Sequence, residues 1–127
     1  MKQFFFLAGL PRSGSTLLAN ILNQNPAIYC SANSPLIELL HYNSNYFKSC
    51  EQVLTNPITD IDKSVLRAIP QAIYQSINKP IIIDKSRAWV HPDNVKNCVN
   101  VFDVLPKIIT TVRDVPSILN SFEKLVE

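Results

Sequence analysis

Glycine is nearly missing from this chain: there are two, Gly9 and Gly14, and both fall within the first fifteen residues. Backbone freedom is therefore concentrated in one place, where a tight turn or close approach to a ligand is to be expected. Cysteine is also sparse. Cys30, Cys50 and Cys98 are odd in number, form no C-x-x-C pair and have no histidine at zinc-ligand spacing. That excludes a disulfide scaffold and a structural zinc site. None has a neighbouring base in sequence, so all three read as buried small apolar residues. The longest apolar run near the N-terminus, Phe4 to Ala8, is closed by Gly9 and Pro11. It is far too short for a membrane span and lacks the cleavage site of a signal peptide, so the expected location is cytoplasmic. Twelve Lys and Arg against ten Asp and Glu give a net charge of +2, with no like-charge run longer than two. Nothing points to a nucleic acid partner, and any anion site must be local. With 127 residues, 46% of them apolar, the chain supplies one core, and a single domain over 1–127 is expected.

What is present is an alternation of apolar patterns. Residues 3–8 have the profile of a short strand buried on both faces. Beyond Gly9-Leu10-Pro11, the positions Leu17, Leu18, Ile21 and Leu22 recur at helical spacing, with Ser15 or Thr16 near the N-cap and Pro26 past the end. A second helical patch covers residues 35–42, followed by a polar stretch (HYNSNYFKSCEQ) that matches no pattern. Between Asp60 and Ile77 apolar residues step by three or four, and Pro70 should kink or split that helix. Ile81-Ile82-Ile83 is a β-branched strand closing in Asp84-Lys85-Ser86-Arg87, residues 92–103 resume helical spacing, and 107–112 form a third strand leading into Arg113-Asp114 and a last helix with Val115, Ile118, Leu119 and Phe122 on one face. Strands separated by helices imply parallel pairing through crossovers. The expected fold class is α/β, a three-layer sandwich around a small parallel sheet of three strands. Ligands collect at the C-terminal ends of such strands, which here carry residues 9–16, 84–87 and 113–114.

The loop Gly9-Leu10-Pro11-Arg12-Ser13-Gly14-Ser15-Thr16 has the glycine spacing of a phosphate-binding loop, with Ser15 where the lysine should stand. Backbone N–H groups at a helix N-terminus, together with the helix dipole, suit an anion there. The missing lysine argues against ordinary nucleoside-triphosphate hydrolysis. Arg12, inside the loop, supplies a cation instead.

The string PRSGSTLL after a buried strand resembles the 5′-phosphosulfate loop of sulfotransferases that use 3′-phosphoadenosine 5′-phosphosulfate (PAPS). A second stretch, KIITTVRDVPSILNSF, is similar to the family's 3′-phosphate motif, a strand ending in arginine with a serine eight residues later, here Arg113 and Ser121. The motifs lie closest to the tyrosylprotein and heparan branches. The resemblance implies a P-loop NTPase-like sheet and PAPS as co-substrate, with adenosine 3′,5′-bisphosphate as product and no metal. It places the 5′ end of the donor on the backbone of Arg12, Ser13, Gly14, Ser15 and Thr16, and the 3′-phosphate on Arg113 and Ser121. It gives Arg12 charge neutralisation near the bridging oxygen, and gives Lys85, just after a strand, the reacting sulfonate. Arg87 is a secondary candidate.

The pattern departs where the tyrosylprotein branch carries a glutamate base: the corresponding stretch here reads Tyr29 to Pro35, with Asn33, which cannot take a proton. Glu38, one helical turn further on, is the candidate catalytic carboxylate, with His41 and His91 as alternatives by residue type. Trp89 reads as core and Asp114 as a helix-start residue partnering Arg113. The acceptor is a hydroxyl or amine on a small molecule, glycan or peptide. Two other readings stay open. A P-loop kinase or phosphotransferase would need magnesium and a strand-end acid such as Asp84, and a nucleotide-binding module would lack catalysis. Relatives of this family are commonly longer, so the chain is a fragment of a longer fold, a minimal member, or a subunit completed by a partner such as a second copy in a homodimer.

Overall fold

The computed structural model describes residues 2–126 and shows a mixed α/β chain. Its elements are β1 (Gln3–Gly9), α1 (Ser15–Leu22), β2 (Ile28–Cys30), α2 (Leu36–Ser49), α3 (Glu51–Leu54), α4 (Ile61–Ile73), β3 (Ile81–Lys85), a 3-10 turn (Arg87–Val90), α5 (Pro92–Phe102), β4 (Ile108–Thr111) and α6 (Val115–Val126). They divide into two compact units. One holds the strands with α1, the 3-10 turn and α6; the other, Pro35–Asn78 with His91–Pro106, holds α2 to α5.

In the first unit the strands form one parallel sheet, flanked by helices, in the order β2-β3-β1-β4. The sheet has four strands where the sequence pattern indicated three. The added one, β2, is three residues long, too short to show a period of two, and it occupies an edge. Asn23 stabilises that edge: its side chain donates to the Cys30 carbonyl and accepts from the Cys30 amide, both at 2.8 Å. This replaces a missing neighbouring strand for one residue.

Alternation along the strands sorts the sheet into two faces. Leu7, Ile83 and Cys30 pack with Ala19 of α1, joined by Phe5, Ile28, Ile81, Leu18 and Leu22. The register Phe6↔Asp84 and Leu7↔Lys85 puts Phe6 and Asp84 on the opposite face, where the Phe6 and Trp89 rings meet at a centroid distance of 4.3 Å. The expected apolar stripe of α1 is displaced: Leu18, Ala19 and Leu22 turn inward while Leu17 and Ile21 stay exposed. On α6 only Ile118 is buried among the described residues, and Val115, Leu119 and Phe122 are exposed.

In the second unit, α2 runs on to Ser49, so much of the unpatterned polar stretch is helix. Its early turns bury Leu36, Ile37 and Leu40, and its later turns are largely polar. Pro70 neither splits nor ends α4 at its own position; it lies in the last turn, and the helix stops three residues later, short of Ile77. A proline there removes one hydrogen bond near an end that is already losing them. Arg67 on α4 and Asp103 just past α5 form an exposed ion pair at 2.6 Å. No helix of the described residues is long and apolar enough to cross a membrane.

Candidate functional site

The parallel register brings three strand ends to one edge of the sheet, with Gly9 opposite Thr111 and Leu7 opposite Lys85. The loop leaving β1 is shaped by three residues with positive φ: Gly9 at 155°, Arg12 at 65° and Gly14 at 94°. Gly9 needs its missing Cβ twice over. Its φ is one that L residues rarely adopt, and a Cβ would collide with Thr111 Oγ1 and stand 2.8 Å from Ser13 Oγ. Those two hydroxyls are hydrogen-bonded to each other at 2.6 Å, and Ser13 Oγ also donates to the Leu10 carbonyl at 2.6 Å. The Ser13 side chain thus ties the loop to β4, and its amide closes a turn onto Leu10.

Gly14 is the N-cap of α1 and offers no side-chain cap. The first helical bond runs from the Leu18 amide to the Gly14 carbonyl, so the amides of Ser15, Thr16 and Leu17 have no acceptor within the helix. They open toward a cavity of about 240 Å³ lined by Arg12, Gly14, Ser15, Thr16, Leu17 and Arg113. Two exposed guanidinium groups, a helix N-terminus and two hydroxyls give this cavity the chemistry that would suit an anion.

The residues around it are tied to one another across the sequence. Arg12 Nε donates to Ser121 Oγ at 2.8 Å. Arg113 Nη1 donates to the Arg12 carbonyl at 2.9 Å, which braces the left-handed backbone at that residue. Lys85 Nζ donates to Thr16 Oγ1 at 2.9 Å. Arg12, Ser13, Gly14, Ser15, Thr16, Lys85, Arg113 and Ser121 therefore form one constellation in the first unit.

A model described as the sulfotransferase family matches residues 5–127. The chain belongs to the sulfotransferase family. A comparison with curated proteins gave no match.

The other candidates of this sulfotransferase-family chain are placed as follows. Glu38 is exposed on α2, in the second unit. His41, on the same helix, contacts Asn45 Nδ2 through Nε2 at 3.1 Å. His91 caps α5: its Nδ1 accepts from the Asp93 amide at 3.4 Å. Asn33 is exposed in the turn between β2 and α2. Arg87 opens the 3-10 turn and is exposed. Asp114 starts α6, accepting from the Ser117 amide at 2.9 Å. The expected partnership with Arg113 is not an ion pair, because that guanidinium turns to the Arg12 carbonyl. Bonds from Ser117, chiefly its side chain, hold the Asp114 carboxyl below its usual value, with Arg113 a minor contributor.

Trp89 is fully buried, as is Asp84. Asp84 was the strand-end acid that magnesium would require, but its two carboxylate oxygens accept from Ser34 Oγ and from Trp89 Nε1, the latter at 2.8 Å. The cysteines are all buried. Burial pushes the Cys30 thiol up to about 11, whereas hydrogen bonds from Tyr46 and Val53 lower that of Cys50. Among the described residues, no three His, Cys, Asp or Glu side chains are grouped to hold a metal.

A larger hollow of about 690 Å³ lies in the second unit, between α2, α4 and α5. Its lining mixes Lys48, Lys63 and Lys96 with Asp62 and Asp93 over Leu40, Leu66 and Val101. Size favours it, yet its charges oppose one another, while those of the smaller cavity all favour an anion. Sequence reasoning missed Thr111, Ser31 and Ser34 as parts of this architecture. All three are small hydroxyl residues without a motif of their own, and their partners lie far away in the chain.

Proposed function

We propose that the chain is a PAPS-dependent sulfotransferase that moves a sulfuryl group to a hydroxyl or amine of a small-molecule, glycan or peptide acceptor. The observation that carries this reading is the bridge between the two motifs: Arg12 of the loop is hydrogen-bonded to Ser121, and Arg113 to the Arg12 backbone. Such an arrangement suits one polyanion with phosphates at both ends.

The donor set fits that group. The free amides of Ser15 to Leu17 and the hydroxyls of Ser15 and Thr16 bind the 5′ end, and Arg113 with Ser121 the 3′-phosphate. Arginine is always charged and can bond two phosphate oxygens. Arg12 neutralises negative charge that grows on the leaving phosphate, and Lys85, beside Thr16, neutralises the sulfonate in flight. The chain's own part is positioning and charge stabilisation, which in-line transfer of such groups chiefly requires. The protein is assigned to the cytoplasm, and no resident metal is invoked.

Calorimetric titration tests the reading, using adenosine 3′,5′-bisphosphate, ATP and AMP, each without and with magnesium, on the wild type and on Arg113→Ala. The bisphosphate should bind best, and losing a charged hydrogen bond to phosphate should weaken it about tenfold or more in the variant. Tighter binding of ATP with a magnesium requirement would replace this reading by a phosphotransferase.

A further inference from the structure

We infer that Asp84, which touches neither the cavity nor solvent, is a positioning residue that aims Lys85 at the loop. The inference rests on the donor-site reading above. A fully buried carboxylate is costly unless its oxygens are hydrogen-bonded, so its place in a core needs a reason. Here each oxygen has a donor from a different segment: Ser34, in the turn after β2, and Trp89, in the 3-10 turn after β3. Trp89 is in turn fixed against the ring of Phe6 on β1. One side chain thus links the turn after β2 to the turn after β3, and through Trp89 to the middle of β1.

Lys85 is the next residue, and alternation sends its side chain to the other face of the sheet, where α1 lies. Its backbone is held from the same turn: the Lys85 amide donates to Ser31 Oγ at 2.8 Å, and the Ser31 amide donates to the Ile83 carbonyl at 3.0 Å. The following amide, Ser86, donates to the Leu7 carbonyl at 3.0 Å. Strand β3 is therefore clamped on both sides of Lys85, and the lysine starts from a fixed Cα to reach Thr16 Oγ1 at 2.9 Å. Lysine has a long flexible stem, so a point charge is delivered reproducibly only if its root does not move. Asp84, Ser34 and Trp89 are that root. The Ser34 bond also holds the turn after β2, the one that carries Asn33.

The test compares Asp84→Asn with wild type. Asparagine can accept from Trp89 and donate to Ser34, so it preserves shape, while the bond to Ser34 is reversed. Affinities are measured calorimetrically for PAPS and for adenosine 3′,5′-bisphosphate, which lacks the sulfonate. Loss of a well-placed charged hydrogen bond predicts about a tenfold drop for PAPS, with the bisphosphate within about twofold. In a Lys85→Ala background the same Asp84→Asn change should alter PAPS affinity less than about twofold, because coupled residues are non-additive. Ser34→Ala, a milder change, should move PAPS affinity in the same direction and serves if Asp84→Asn does not fold. Equal losses for both ligands, or a full Asp84→Asn effect without Lys85, would overturn the inference. If wild type binds neither nucleotide, the donor reading falls. The positioning claim is then decided by the ¹⁵N resonance of the Lys85 ammonium without ligand, which should shift in Asp84→Asn and Ser34→Ala; an unmoved resonance would overturn it.

Discussion

Replacing Gly9 by alanine should damage this protein more than replacing Gly14, although both glycines have positive φ. At Gly14 a new methyl group meets no atom within 4 Å, so the cost is backbone strain alone, about 1–2 kcal/mol. At Gly9, φ is 155° and the methyl group would collide with Thr111 Oγ1, stand 2.8 Å from Ser13 Oγ and 3.2 Å from the Thr111 carbonyl. Backbone strain there is of the order of 1–3 kcal/mol, and overpacking adds about 1–3 kcal/mol. Relief requires Thr111 to rotate away, which breaks its 2.6 Å bond to Ser13, a further ~0.5–1.5 kcal/mol. A total near 3–5 kcal/mol is expected, since these contributions overlap. Urea unfolding, followed by tryptophan fluorescence, gives the difference from the shift in midpoint at constant m value. The contact has a built-in check: in a Thr111→Ala background, Gly9→Ala should cost less than it does in wild type. Equal destabilisation by Gly9→Ala and Gly14→Ala, or no relief from Thr111→Ala, would refute the reasoning.

Two further outcomes follow from the thiols and from the start of α6. At pH 8, iodoacetamide should modify Cys50 before Cys30, because burial raises the Cys30 thiol to about 11 while hydrogen bonds lower that of Cys50; peptide mapping by mass spectrometry gives the order. The raised Cys30 value also means its contribution to stability is complete below the unfolded value near 9.0 and is lost as pH rises through 11. Asp114 behaves oppositely. Its carboxyl is held below 3.8 in the folded chain, so its contribution is present above that pH and disappears as pH falls through the folded value. Thermal melts of wild type and Asp114→Asn should therefore differ at pH 7 and converge in acid; a gap independent of pH would refute the assignment.

The parts of this fold that were legible in the sequence are those with a long period or a tight motif. The run Phe4 to Ala8, the glycine pair with its hydroxyls, and the step pattern of α4 each draw on many residues at once, so local physics alone reports them. Strand β2 was hidden because its three residues pair only with β3, some fifty positions away, and with the Asn23 side chain. The exposed apolar residues Leu17, Ile21, Val115, Leu119 and Phe122 read as core because periodicity shows that a helix has an apolar face, and says nothing of how wide a face is covered. At the candidate site the residue types were readable, and their couplings were not. No local signal tells that Ser13 is committed to Thr111, that Arg12 adopts a left-handed backbone, or that Asp84 is buried between Ser34 and Trp89.

The three bonds that shape the loop also set when it can form. Ser13 reaches Thr111 across 98 residues, Arg113 reaches Arg12 across 101, and Arg12 reaches Ser121 across 109. Contacts of such separation must close nearly the whole chain before they are formed, which makes them late and slow steps in folding. The loop between β1 and α1, though local in sequence, therefore takes its shape only after β4 and α6 have docked. A folding stage that holds β1 and α1 alone lacks all three bonds, so the shape of the loop reports on the arrival of β4 and α6.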